Sequence, residues 1–565
     1  LILPMLFSMT GVAVFSLAHN LVCAVGRFSE SPAESGTESR RFGAPYIAGL
    51  VAVALALLLG NLAQPSVIAN AWYQAGTPTL EELPIIGRAA RTLDGGVKVL
   101  SGQPAPIYPG DWFWTASRAL NYEPGEAQPI TEFPFFTFLY GDLHAHMIAM
   151  PLSMLALGWA IGVVLLAERK RRGAGEQGRA GDPADNQQLT TNNWPLMFLT
   201  GALAIGVLRP TNTWDWPTYL LLGVLALAYT ALQTDGLNLR GLGKAALLAV
   251  GLFGLSALLF LPYTANYGAA YSSVSLWPGS YTRAWNYLIV HGLFLFFVVT
   301  HLTREVRAWA ATWTEEGKRR LEPLGRVIVA ALVLFVVLTA ALLVRGYWVA
   351  PIALPLLVVA GLLALRPGLA TGRRVVLALM SAALGLTLLV EIIVLDGDVG
   401  RMNTVFKFYL QVWLMLSVAC GPAAVWAWAS IRRTKRLRVV WQGTLAVLLF
   451  AAFLYPLLAT AAKWGIRMNP DAPNTLDGAA FLPYVEYGDT DHAGQGRMVR
   501  PAEDLGAIEW LQRNVSGSPV VMEAHGGNPY RSIAARIAMY TGLPSVVGWD
   551  WHQRQQRAVA PDTLV

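Results

Sequence analysis

Four ionisable side chains share the run EFPFFTFLYGDLHAH at residues 132–146: Glu132, Asp142, His144 and His146. An Asp-x-His-x-His segment can hold a divalent cation, Mg or Mn, through Asp142, His144 and His146 if its backbone is extended, because alternate residues of a strand share a face. On a helix only Asp142 and His146 share a face, at i and i+4. Without a cation, Glu132, Asp142 and His144 at a membrane–water boundary suit a reactive or substrate-binding role, because ionisable groups at such depth are costly. The plainer alternative is Asp142 capping a helix after Gly141, with His146 packed beside it.

A second constellation is EIIVLDGDVGRMNTVFKFYLQVW, residues 391–413, with Glu391, Asp396, Asp398, Arg401, Asn403 and Lys407. A guanidinium fork, an ammonium and free amides at a helix N-terminus suit a phosphate. The alternative is an Asp–Arg surface pair with a snorkelling lysine. A third is RPTNTWDWPTY, residues 209–219, where Asp215 stands between Trp214 and Trp216. Two indole faces and a carboxylate suit a sugar ring, whereas an interfacial aromatic belt and a helix cap explain the same residues without a ligand. Asp111 and Arg118, in DWFWTASR, are weaker candidates of the same kind.

These motifs must be carried by elements in a membrane. Of the 565 residues, 55% are hydrophobic and only 14% charged, with 20 Trp and 19 Tyr. A soluble domain carries about 25% charge. The composition excludes an ordinary cytosolic enzyme and a disordered chain. Cys23 and Cys420 both lie in apolar runs, so a disulfide framework or a thiolate metal site is not expected. The sequence opens at Leu1 inside an apolar run and reads as a fragment.

Twelve apolar stretches approach the length of a membrane span: 2–25, 44–63, 144–167, 194–208, 215–233, 244–262, 285–302, 326–344, 347–365, 375–394, 405–430 and 439–461. A span needs about 20 such residues. The fourth is short and runs into Pro210; the ninth holds Pro351 and Pro355, which predict a kink. Loops on one side, with the residues at their edges, carry 24 of the 42 Lys and Arg, against nine in the loops of the other side. The basic side is therefore read as cytoplasmic. RKRR at 169–172, KRR at 318–320 and RRTKRLR at 432–438 are topology determinants; nucleic acid is not an expected partner despite the net charge of +7. All three motifs fall on the other side, with loop 64–143 and the tail after 461.

The expected architecture is an all-α polytopic membrane domain, residues 1–461, of about twelve helices, with interfacial helices in loop 64–143. A small external α/β domain, residues 462–565, follows. In that tail, 504–512 reads as an amphipathic helix, and 518–524 and 543–548 as short strands. Glu523, His525, Tyr530, Arg536, Tyr540, Trp549, Asp550 and His552 surround the strand ends. NVS at 514–516 matches a glycosylation sequon. There is no P-loop, dinucleotide fingerprint, HExxH or GxSxG.

EFPFFTFLYGDLHAH, NTWDWPTY, DGDVGRMNTVFKFYLQVW and the tail pattern AIEWLQRNVSGSPVVMEAHGG…YTGLPSVVGWDWHQRQQR resemble the YYY membrane protein family, also called domain of unknown function 2298, over about residues 110–557. That family is grouped with the GT-C glycosyltransferases. The resemblance implies a plasma-membrane enzyme that takes a sugar from a polyprenyl-phosphate donor to an acceptor glycan, lipid or protein on the outer face. It implies Glu132, Asp142, His144 and His146 as the second acidic motif of the site, and Arg401, Asn403 and Lys407 as holding the donor phosphate. Glu391, Asp398, Asp215 and the two tryptophans would complete the substrate site. Members usually carry an upstream Tyr-rich segment with an Asp in a DPW-like setting, which this sequence does not include, and Ala145 stands where Pro is expected. The rival classes are a transporter or lipid flippase, which places charges at the bilayer midplane, and a non-catalytic assembly protein, which scatters these residues over different faces.

Overall fold

In the computed structural model, the described residues are 2–27, 43–78, 84–141, 143–176, 193–267, 273–316, 322–396, 399–431, 435–490, 494–523, 533–546 and 548–549. The first apolar run forms α1 (Ile2–Arg27). The second forms α2 (Ala44–Val53), which continues as one π turn to Leu58. Loop 64–143 holds α3 (Gln64–Ala75), α4 (Pro84–Leu100), α5 (Asp111–Trp114) and α6 (Pro134–Tyr140). Then follow α7 (Ala145–Glu176), α8 (Trp194–Gly206), α9 (Leu208–Thr211), α10 (Asp215–Asp235), α11 (Leu239–Leu258), α12 (Leu261–Asn266) and strand β1 (Ser273–Leu276). The second half comprises α13 (Ala284–Ala310), α14 (Gly325–Val344), α15 (Ala350–Leu365), α16 (Thr371–Leu389), strand β2 (Ile393–Asp396), α17 (Arg401–Ile431) and α18 (Lys435–Arg467).

Every apolar stretch read from the sequence coincides with one of these helices. Nine of the described helices are long and apolar enough to cross a bilayer. The other three segments are shorter: Ala44–Leu58, Ala350–Leu365 and Trp194–Gly206. Pro351 sits in the first turn of α15, where its missing N–H costs nothing, and Pro355 lies inside that helix.

The helices pack around α17. Nearly three quarters (72%) of the apolar window of α17 is buried, against none of that of α14. Close approach depends on small residues, as in other membrane bundles. A Cβ on Gly421 of α17 would lie 2.4 Å from the Ala48 carbonyl oxygen of α2. Arrays of Leu, Ala, Val and Met from α1, α2, α7, α13, α16 and α17 fill the centre.

At one end of the bundle β1 and β2 pair antiparallel, Ser273 opposite Asp396 and Leu276 opposite Ile393. The Ser275 hydroxyl donates to the half-buried Asp396 carboxylate and Ser273 Oγ donates to it at 2.7 Å; these two bonds hold its pKa below the usual value. The tail differs from expectation in detail. Helix α18 runs six residues past the expected boundary at 461. The expected helix lies within α19 (Pro501–Asn514). The two expected strands reduce to one parallel bridge, Val521 to Ser545, and a hairpin of β3 (Tyr487–Thr490) and β4 (Gly496–Val499) forms that periodicity did not reveal. Glu523 accepts the backbone N–H groups of Ile537 and Ala538, both at 3.0 Å, at the start of α20 (Arg536–Thr541). Arg536 pairs with Asp504, which raises the guanidinium pKa. His525, Tyr530, Asp550 and His552 lie outside the described residues.

Replacing Gly421 by Val is expected to cost about 1–3 kcal/mol, because the α2 backbone leaves no room for the added carbons. Gly254→Ala, with nothing within 4 Å of the new Cβ, should be neutral. Thermal unfolding in detergent checks both; equal midpoints would contradict the packing account.

Candidate functional site

All three motifs meet at the end of the bundle that holds the β1–β2 ribbon. Glu132 is set by its backbone. Thr131 N–H donates to Ser117 O at 2.8 Å, Ala119 N–H donates to Thr131 Oγ1 at 3.0 Å, and Ile130 N–H reaches Met402 O at 3.3 Å. Phe133 is extended and Pro134 begins α6. The side chain of Glu132 is only 14% exposed. Arg118 Nη1 lies 3.3 Å from its Oε1, and His146 Nε2 lies 4.0 Å from its Oε2. Burial pulls the Arg118 guanidinium below its usual pKa, with Glu132 acting against that shift. Arg118 also stacks over Trp114 at 4.3 Å.

Helix α6 ends because Gly141 adopts φ +73°, a left-handed conformation suited to glycine. The chain re-enters a helix at Ala145, which puts His146 in the first turn of α7, buried edge-on against Phe406 of α17 with ring centroids 4.6 Å apart. His144 stands just before that helix, exposed, with its ring centroid 5.8 Å from that of His146. Asp142 lies outside the described residues. Among the described residues no group of three or more His, Cys, Asp or Glu could hold a metal ion. Of the three expected cation ligands, His144 and His146 are described, and His146 faces Glu132 and Phe406.

The Asp215 motif turns inward. Asp215, in the first turn of α10, is buried and accepts three hydrogen bonds: from Ser153 Oγ of α7 at 2.9 Å, Asn212 Nδ2 at 3.0 Å and Gln411 Nε2 of α17 at 2.8 Å. Asn212 presents its oxygen to Lys407 Nζ at 3.1 Å. Trp216 lies under Arg209 at 4.7 Å and against Phe253 at 5.6 Å, and Trp214 packs beside the small apolar cluster of Leu120, Val405 and Tyr409. The two indoles thus pack against the protein rather than presenting one open platform.

Glu391 and Arg401 form a buried ion pair. Arg401 Nη2 lies 2.9 Å from Glu391 Oε1, and the two side chains are 4% and 2% exposed. Thr282 completes the set: its N–H and Oγ1 donate to the two Glu391 oxygens at 2.9 and 2.6 Å, and Arg401 Nη1 donates to Val390 O at 2.9 Å. Arg401 is thereby engaged through both of its Nη atoms. Lys407 lies six residues further along the same helix, so the two side chains point about 120° apart. Arg401 and Lys407 turn to Glu391 and Asn212 respectively and do not converge on one point. Asn403 is half-buried in the first turn of α17, and Asp398 lies outside the described residues. Sequence reasoning passed over Ser153, Asn212, Thr282 and Gln411. Gln411 had a signal, standing four residues after Lys407 on a helix, and Asn212 stands three before Asp215; Thr282 and Ser153 had none.

Nine long apolar helices, with their carboxylate and ammonium groups gathered near helix ends, define a multi-pass helical membrane protein. The chain belongs to the uncharacterized membrane protein family DUF2298, whose family model matches residues 1–416. The match therefore includes α1 to α4, ahead of the motifs, and ends inside α17. No curated protein and no solved structure matches the chain.

Glu391→Ala is expected to cost about 3–5 kcal/mol, because it strands a buried guanidinium. The double replacement Glu391→Leu with Arg401→Met should recover part of that loss. Unfolding midpoints of the single and double variants check it, and a single variant as stable as the parent would contradict the pairing.

Proposed function

We propose that the chain is an integral membrane glycosyltransferase of GT-C type. It moves a sugar from a polyprenyl-phosphate donor to an acceptor glycan, lipid or protein on the outer face of the plasma membrane. The observation that carries this reading is the Glu132 carboxylate. It is partly exposed, braced by Arg118 and His146, and lies at the same end of the bundle as Lys407. Glu132 with Asp142 and His144 takes the proton of the acceptor hydroxyl. The acceptor oxygen then bonds to the anomeric carbon as the bond to the phosphate oxygen breaks, and polyprenyl phosphate leaves. In-line displacement inverts the sugar carbon. Lys407 offsets charge on the departing phosphate. Arg401 and Asp215 act as positioning residues, Arg401 through the start of α17 and Asp215 through Asn212. A divalent cation, if the enzyme uses one, would involve Asp142, His144 and His146, and would supply Lewis-acid stabilisation of the phosphate.

The transport reading predicts charges near the midplane. Glu391 instead follows the last turn of α16, Glu132 precedes α6 and Asp215 opens α10. That arrangement favours group transfer at a surface.

The test uses full-length protein and a panel of polyprenyl-phosphate sugars, following release of free polyprenyl phosphate with and without EDTA. Glu132→Gln is expected to slow release by about 10²–10⁴-fold. Loss of release in EDTA, restored by Mn²⁺ or Mg²⁺, would assign the cation. Undiminished release in both Glu132→Gln and Asp142→Asn would overturn the site.

A further inference from the structure

The geometry points to a second site, which holds the phosphate of an acidic membrane lipid in a cavity of about 810 Å³ beside α18. Its walls include Phe113 and Trp114 of α5, Tyr140 at the end of α6, and Lys463, Trp464 and Arg467 of α18. Tyr455 fixes this wall by donating its hydroxyl to Phe113 O at 3.0 Å. No residue of the three sequence motifs' ion pairs lines the cavity, and the inference does not rest on the transferase reading.

Lys463 is the decisive residue. It is only 8% exposed, yet its ammonium lies over the Tyr140 ring at 3.9 Å and the Phe113 ring at 4.8 Å. Ring faces attract a cation but do not neutralise it. Among the described residues neither Lys463 nor Arg467 forms an ion pair. Asp111, in the same short helix as Phe113, accepts the Tyr108 N–H instead at 3.0 Å, and Glu132 is taken by Arg118. The stem of Lys463 is buried while its ammonium opens to the cavity, and among the described residues it has no counter-ion, so an anion from outside the chain fits this place. A phosphate suits a lysine point charge beside an arginine fork.

The source of that phosphate follows from the outer surface of α18. Phe450, Phe453, Leu457 and Trp464 are 65, 53, 55 and 62% exposed. Their spacing of three, four and seven places them on one side of the helix. This uncovered apolar stripe ends at the cavity. A lipid tail lies along the stripe while its head group reaches Lys463 and Arg467, with Trp464 at the interface between them. A free phosphate would make no use of the stripe.

Purified full chain in detergent is mixed with phosphatidylglycerol, phosphatidylcholine or glycerol 1-phosphate. Bound lipid is counted by native mass spectrometry and unfolding is followed in parallel. Phosphatidylglycerol is expected to bind and raise the unfolding midpoint, with the other two doing neither. Lys463→Met should weaken that binding at least about tenfold without lowering the midpoint of the lipid-free protein, since it removes an unpaired charge. Lys463→Arg should retain binding. Arg467→Gln, at an exposed position, should weaken it several-fold, and Arg436→Gln, at the other end of α18, should leave it unchanged. Equal phosphatidylglycerol binding by the parent, Lys463→Met and Arg467→Gln would overturn the site. Equal protection by glycerol 1-phosphate would overturn the lipid as its source.

Discussion

A charge buried among apolar helices must be matched where it lies, and the Glu391–Arg401 pair meets that requirement for the whole polar end. Its partners come from three places: Thr282 before α13, Val390 at the end of α16, and Arg401 at the start of α17. Once Arg401 is fixed, the rotation of α17 is fixed too. Phe406 then meets His146, Lys407 meets Asn212, and Gln411 meets Asp215. The same helix is the most buried of the bundle and packs against α2 through Gly421. One helix register therefore sets the packing at the centre and the polar contacts at the rim.

The two ends of the bundle use charge differently. At the basic end Glu305 is buried with Arg304 and with Arg366, whose Nη2 lies 3.6 Å from it, and Arg304 Nε donates to Ser430 Oγ at 2.9 Å. His301 packs on Trp426 one turn away, with ring centroids 5.5 Å apart. This cluster ties α13 to α15 and α17, and the loops around it carry the excess of Lys and Arg. The polar end instead gathers Glu132, His144, His146, Lys407 and Asp215 on short loops and helix starts. His146 and Asp215 are buried there, while His144 is exposed and Glu132 and Lys407 are half-buried.

Much of the fold was legible because the bilayer imposes a length. Twelve apolar runs separated by charged or Gly- and Pro-containing loops mark where the helices lie, and the loop charges mark which ends belong together. The grouping of the motifs at one end followed from that alternation. Partner choice was not legible. Arg401 resembled a phosphate ligand because it opens a helix, but its partner is Glu391, ten residues earlier, and Thr282 is 119 residues away. Asp215 between two tryptophans resembled a sugar platform, yet its carboxylate is satisfied by side chains from three segments. Lys463 was hidden for the opposite reason: it stands near the end of an apolar run, as an ordinary snorkelling lysine would, and only the fold brings Tyr140 and Phe113 around it.

The proposed transfer requires the end carrying Glu132 and Lys407 to face outward. Single cysteines at Tyr122, 49% exposed at that end, and at Leu237, 83% exposed at the other, test it in a chain with Cys23 and Cys420 replaced by alanine. In intact cells a membrane-impermeant maleimide should label position 122, and should reach 237 only after permeabilisation. Labelling of 237 but not 122 in intact cells would reverse the orientation and overturn the proposed transfer at the outer face.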